Sequence, residues 1–427
     1  MMKLREWDRN LKIRLLGEGM INVLFWMFFP FMAIYFSDSF GKGMAGLLLV
    51  LSQVFGVLAN LVGGYCADKY GRKRMMLIAA IGEGMTFLLF AYANSPWLVS
   101  PVLTFLSFSV LGIFGSLYWP ASHAMVADVV EEKDRNAVFA VFYTALNISV
   151  VVGPILGGIF FFQHRFGLLL TAAIVSFGVA FLIAAFIRET APDQMEKKLV
   201  KDSSTKWQGF LKEQLKDYRV IVQDKVFLLF ILAGIFVAQT FMQLDLLIAV
   251  HLSESVQEQT VSKLLDIRAN GKEVFGWLIA ENGLLVALLT VYMTTKMSRF
   301  NEKYVFIVSC LIYAISMVMF GYTTHVWILV LAMFVFTMGE LMVVGIQEGF
   351  VSRLAPEHMR GQYFAAASLR FTIGRTIAPL AIPLTAVIGF PLTFSLISLL
   401  ALVAALLYSI MFNIKEAKEE EFHHRVL

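Results

Sequence analysis

Long apolar runs alternate with short polar breaks along almost the whole chain. The runs fall at about 15–38, 43–67, 75–94, 98–123, 136–162 and 166–187, and again at about 226–251, 274–295, 304–322, 326–350, 362–386 and 390–413. Crossing the hydrocarbon core of a bilayer takes roughly 20 apolar residues in a helix. The pattern therefore predicts an all-α membrane protein with twelve transmembrane helices in two six-helix bundles. Between the sets, Arg188 to Lys225 is polar and rich in Lys and Glu; it reads as a linker with a surface amphipathic helix carrying Trp207, Phe210, Leu211, Leu215 and Tyr218. The predicted organisation is a surface segment at 1–14, a bundle at 15–187, a linker at 188–225, a second bundle at 226–413 and a tail at 414–427.

Composition agrees: 59% of the 427 residues are hydrophobic and 15% are charged, against about 25% charged in a soluble domain. The charges are unevenly placed. Lys3, Arg5, Arg9, Lys12 and Arg14 precede the first run, Lys69, Arg72, Lys73 and Arg74 fill the second break, and nine cations lie between Arg188 and Lys225. The alternate breaks are poor in cations or, after the seventh run, offset by Glu254, Glu258, Asp266 and Glu273. Cation-rich loops stay on the cytoplasmic side, so both termini are expected there, in the plasma membrane, with 1–14 lying on the inner surface. The net charge of +4 belongs to this asymmetry and does not point to nucleic acid. No cleavable signal is expected. Cys66 and Cys310 spell neither a disulfide framework nor a metal site.

The halves repeat. Glu132, Arg135 and Phe139 match Glu357, Arg360 and Phe364 at an offset of 225, which also places Pro154 on Pro379. Parallel repeats of this kind put the transport site between the halves near the midplane.

Two motifs stand out. Gly64-Tyr65-Cys66-Ala67-Asp68-Lys69-Tyr70-Gly71-Arg72-Lys73 fills a break too short for a domain. Its glycines permit close helix approach or a strained turn, and Asp68 is suited to a helix N-terminus or a neighbouring cation. With Asp128 at the end of the fourth run, these residues read as a polar latch. In Ser149 to Gly158, the glycines Gly153, Gly157 and Gly158 suit close packing, while Pro154 removes a backbone donor and bends the helix. The first motif resembles the signature loop of the major facilitator superfamily. The second resembles its antiporter signature, with Ser149 replacing the first glycine. Phe241 to Asp245, Val250 to Ser253 and Met338-Gly339-Glu340 look like the LmrP-type multidrug/proton antiporters. That resemblance implies the major facilitator fold, a basic residue near Arg370 and proton-coupled export. Two departures exist: Phe142 stands where that type carries a further acid, and Gly112 to Tyr118 lacks the arginine of many drug antiporters.

The intramembrane acids weigh most. A charge at the centre of a span costs about 2.5–3.5 kcal/mol on insertion scales. A carboxyl sealed in apolar surroundings favours its neutral form, and access to water reverses this. Asp245 and Glu340 are therefore the candidate proton and substrate sites, with Arg370 and Arg375 as the cations able to lock them in structural pairs. Glu18, Glu83, Glu281 and Glu348 are weaker candidates, and His123 and His251 read as interface histidines. Phe25 to Phe29, Phe241 and Met242 are suited to an adaptable cavity.

The function expected is efflux of lipophilic, often cationic small molecules in exchange for protons, by a monomer in the bilayer that needs no cofactor or metal. The alternative is a lipid or glycolipid exporter of the same superfamily. An enzyme is not expected, because no Gly-x-Ser-x-Gly, His-Glu-x-x-His or phosphate-binding loop is present.

Overall fold

The apolar runs all fold as helix, the conformation in which one segment satisfies its own backbone hydrogen bonds in hydrocarbon. A computed structural model describes residues 7–190, 224–262, 267–344, 346–354 and 360–426. The predicted linker helix and most of the basic N-terminal segment lie outside them. The chain divides into two units, Met1–Ser204 and Thr205–Leu427.

In the first unit the first crossing is α1 (Arg9–Phe28), a 3-10 turn at Phe29–Phe31 and α2 (Met32–Phe40). Pro30 sits inside the turn, where its missing N–H breaks the helical ladder. Then follow α3 (Lys42–Tyr70), α4 (Arg72–Tyr92), α5 (Pro101–Val129), α6 (Glu132–Gln163) and α7 (Arg165–Phe186), with a short antiparallel pair, β1 (Asn94–Ser95) and β2 (Leu98–Val99), before α5. Ser100 caps α5, accepting from Leu103 N, and Pro101 takes the first helical position, where its missing donor costs nothing.

The second unit opens with α8 (Lys225–Phe241), a 3-10 turn at Met242–Leu244 and α9 (Leu247–Ser255). A hairpin of β3 (Gln259–Ser262) and β4 (Ile267–Ala269) leads to α10 (Gly271–Met297), α11 (Glu302–Tyr322), α12 (Val326–Val343), α13 (Gln347–Leu354), α14 (Arg360–Ile377) and α15 (Ala381–Val426). Asn270 and Glu273 form a reciprocal capping box at the start of α10.

Among the described residues, eleven helical stretches are long and apolar enough to cross a membrane, and the last, Ala366–Ala417, has 52 residues. At 1.5 Å per residue it is about 78 Å long, more than twice the hydrocarbon thickness. It therefore holds two crossings, turning at Gly389 with φ 78°, and the crossings number twelve.

The halves pack alike. In the first, α1 lies against α6 and α7, α3 against α5, and α4 against α5 and α7. In the second, α8 lies against α14 and α15, α10 against α12, and α11 against α12 and α15. Numbered by crossing, the same partners recur at the same positions. Aromatic rings fill the second bundle, where Phe230, Phe306, Phe350, Tyr408 and Phe412 interlock. The outer surface is apolar as well, with Val291, Val387, Phe181 and Ile174 among its exposed side chains, as lipid contact allows.

Where backbones touch, the first unit uses glycine. A Cβ at Gly157 would run into the Met27 carbonyl oxygen and lie 2.6 Å from Phe31 Cε2. A Cβ at Gly64 would meet nothing within 4 Å; the close approach of α3 to α5 falls instead on Gly63, where a Cβ would lie 3.1 Å from Leu117 Cα. Gly157→Val is expected to lower the thermal unfolding midpoint of the detergent-purified protein, at an overpacking cost of about 1–3 kcal/mol, while Gly64→Ala leaves it unchanged. Equal midpoints for the two variants would refute this account of α1 against α6.

Candidate functional site

The intramembrane acids of the second half gather around a break and a cavity. Asp245 ends the 3-10 turn that interrupts the seventh crossing. Its Oδ1 is buried without a hydrogen-bond partner, as are Gln239 Oε1 and Gln243 Oε1 on the same crossing. The Gln243 amide nitrogen donates to Gln239 O at 3.1 Å and to Ala378 O at 3.2 Å. Those two bonds fix which end of the amide is nitrogen, so its oxygen is an acceptor with no donor.

Glu340 lies one turn before the end of α12. Buried Asn282 of α10 donates to Glu340 Oε2 at 2.9 Å and to Thr337 Oγ1 at 3.0 Å. Glu340 and Arg370 line a cavity of about 90 Å³ whose walls include Gly234, Phe241, Tyr313, Gln347 and Phe371. Asp245 is not among the lining residues, so the two acids do not open onto this one cavity. Arg370, 2% exposed, stacks its guanidinium on Phe230 at 4.6 Å and Phe371 at 5.1 Å. Gly234 makes room for it: a Cβ there would lie 2.6 Å from Arg370 Cδ. Neither Asp245 nor Glu340 takes part in an ion pair among the described residues, although the Arg375 charge reaches Asp245. The structural pairing of these acids with Arg370 and Arg375 is therefore not what the structure contains.

The signature loop of the first half is held by polar contacts around Gly71, Arg72 and Lys73. Gly71 takes φ 95° between α3 and α4, a conformation costly for any other residue. Arg72 is buried; its Nε lies 3.1 Å from Asp128 Oδ2 and its Nη1 donates to Ala67 O at 3.2 Å. Lys73 Nζ donates to Ala184 O at 2.9 Å. The carboxylate at the N-terminus of α4 belongs to Glu189, which accepts from Arg72 N at 2.9 Å and Lys73 N at 3.2 Å, a placement the helix dipole favours. The Asp68 side chain lies outside the described residues. At the equivalent place in the second half, Arg353 pairs with Glu302, with the polarity reversed.

Gly153 and Gly157 face Trp26 and Met27 of α1 in their own half. Pro154 is buried and Gly158 half-buried beside them. Phe142, standing at the site of the missing acid, lies under the Arg14 guanidinium at 4.2 Å. Sequence reasoning missed Asn282, Tyr313, Gly234 and Glu189. A polar Asn within an apolar run was the visible signal for the first; the others needed the packing.

The Major Facilitator Superfamily profile matches residues 15–267 and 260–426. A Na(+), Li(+), K(+)/H(+) antiporter of Planococcus maritimus is 54% identical over 419 residues, covering 98% of this chain and 99% of that protein. Multidrug resistance protein MdtH of Shigella flexneri is 24% identical over 380 residues, covering 86% of this chain and 85% of its own. The crystal structure of a POT family transporter in complex with a thioalcohol-conjugated peptide superposes with a TM-score of 0.75 at 15% identity, covering 97% of this chain and 98% of that one. At that identity it shows the fold alone. With twelve crossings, duplicated packing and a profile match along nearly its whole length, the chain belongs to the major facilitator superfamily of membrane transporters.

Proposed function

We propose that this chain is a proton-coupled antiporter of the plasma membrane, with both termini cytoplasmic, that exports monovalent metal cations in exchange for protons. The observation that carries the reading is Glu340: a carboxyl with no ion pair, held by Asn282, at the wall of a cavity of about 90 Å³. That is room for an ion with several waters, each needing about 10–15 Å³ on the same measure. Outside the lining of that cavity, at the break of the seventh crossing, Gln239, Gln243 and Asp245 hold acceptor oxygens without donors, and helix breaks are the kind of element that coordinates cations in other transporters. The cation specificity named for the relative at 54% identity agrees.

In this cycle a proton and a cation compete for the same anionic carboxylate, and each is released when water reaches the site from its own side. Asp245 tunes the site, with Arg375 limiting the negative charge. Adding Na+, K+ or Li+ to everted vesicles is expected to collapse a preformed pH gradient. Glu340→Gln keeps the Asn282 contact and is expected to slow that collapse at least about tenfold while the protein still folds. Below the range in which the carboxylate ionises, the half-saturating cation concentration is expected to rise about tenfold per unit fall in pH, by simple competition. An unchanged rate in Glu340→Gln would reject the assignment.

The Arg72–Asp128 pair is proposed as the latch of the cytoplasmic face, because it ties the starts and ends of the third and fourth crossings at a buried guanidinium. Asp128→Asn is expected to slow turnover several-fold while leaving equilibrium cation binding unchanged. Loss of both together would argue for a purely structural pair.

A second reading, efflux of lipophilic cations, is favoured by the MdtH likeness and by the Phe241 and Phe371 rings beside Glu340. It predicts ethidium efflux that depends on the pH gradient and is inhibited by Na+ or K+. Retention of ethidium equal to that of vector-only cells would end it.

A further inference from the structure

The proton and cation sites above use no carboxyl of the first half, yet two lie within its helices, Glu18 and buried Glu83. On α1, Arg14 Nε lies 2.5 Å from Glu18 Oε1, and Ser122 Oγ of α5 donates to the same oxygen at 2.5 Å. Arg14 Nη1 also donates to Ser122 O at 2.8 Å. Arg14 and Glu18 thus neutralise each other one for one. Glu83 of α4 has no such arrangement. It is 8% exposed, and it takes part in none of the hydrogen bonds or ion pairs among the described residues. It lies in the field of Glu18 and beside Tyr118. Its Oε1 lies 3.6 Å from where a Cβ on Gly115 would stand, and at the neighbouring Gly82 the Phe114 ring presses onto the α4 backbone. The ionisable groups that share a field with it are Glu18 from α1 and Tyr118 from α5; the charges of Arg14 and Glu18 also reach His123 of α5. The buried face of α7 against α4, with Val179, Ala180 and Ile183, supplies none.

An ionised Glu83 adds a buried anion that nothing compensates, which is expensive. A proton removes that cost. The neighbouring Glu18 side chain keeps 11% exposure, and His123 on α5 is exposed. We infer that Glu83 is a second exchangeable-proton site, in the first half, so that one transport cycle moves two protons, one on Glu83 and one on Glu340. This rests on the reading of the chain as a proton antiporter. The binding step is simple protonation: the carboxylate takes a proton from water on one side and gives it to water on the other.

Two measurements test it. Dicyclohexylcarbodiimide reacts with protonated carboxyls in apolar surroundings. On the purified full-length protein, mass spectrometry is expected to find label on Glu83, falling as pH is raised, and none on ion-paired Glu18. In proteoliposomes at zero membrane potential, the pH gradient that just balances a fixed cation gradient is expected to be about twofold larger for Glu83→Gln than for the wild type, because half of the coupled protons are gone. A merely structural Glu83 changes the rate and leaves that balance point where it was. No label on Glu83, label independent of pH, or an unchanged balance point overturns the proposal. If the wild type moves no protons against cations, the antiport reading fails, and the pH dependence of labelling still decides the site.

Discussion

A carboxyl inside a lipid-embedded bundle has to be held without being neutralised, and the second half of this protein is arranged around that constraint at Glu340. An anion at the centre of a span costs a few kcal/mol, and pairing it with arginine would remove the cost together with its ability to exchange ligands. The structure avoids the pairing. Arg370 comes to the same cavity but lays its guanidinium on Phe230 and Phe371, and Gly234 clears the space that this pose needs. Glu340 receives instead one neutral donor, Asn282, itself tied to Thr337. A neutral amide steadies the carboxyl whether or not it carries charge, which a cation in contact would not.

The two halves share packing partners and differ in their polar chemistry. In the first, Arg14 cancels Glu18 and Arg72 meets Asp128. In the second, Arg353 meets Glu302 with the signs exchanged, and Asp245 and Glu340 stay outside any ion pair among the described residues. Duplicated scaffolds tolerate this divergence because apolar packing sets the crossings, while isolated polar side chains decide what each bundle can bind.

Interruptions of the helices recur at matching places. The first crossing breaks at Phe29–Phe31 and the seventh at Met242–Leu244. Pro154 lies within the fifth crossing and Pro379 in the 3-10 turn of the eleventh. Each break frees backbone groups and weakens local rigidity, and a transporter needs such places, since its helices must bend between two states. At the seventh crossing the break also leaves side-chain oxygens without donors.

The fold was legible because its determinant is one-dimensional. A run of about 20 apolar residues has to be a spanning helix, so the order of the crossings and the turn at Gly389 could be read from the chain. The acids Asp245 and Glu340 stood out in the chain for a related reason: a carboxylate in such a run carries a cost of a few kcal/mol. Pairing was not legible, because it depends on rotation of each helix about its axis and on which neighbours it meets. Only the folded chain turned Arg370 onto Phe230 and away from Glu340, brought Glu189 to the N-terminus of α4, and moved the close contact from Gly64 to Gly63. Apolar length dictates that a segment crosses the bilayer; the register of one helix against the next decides which buried charge finds a partner and which is left to bind something else.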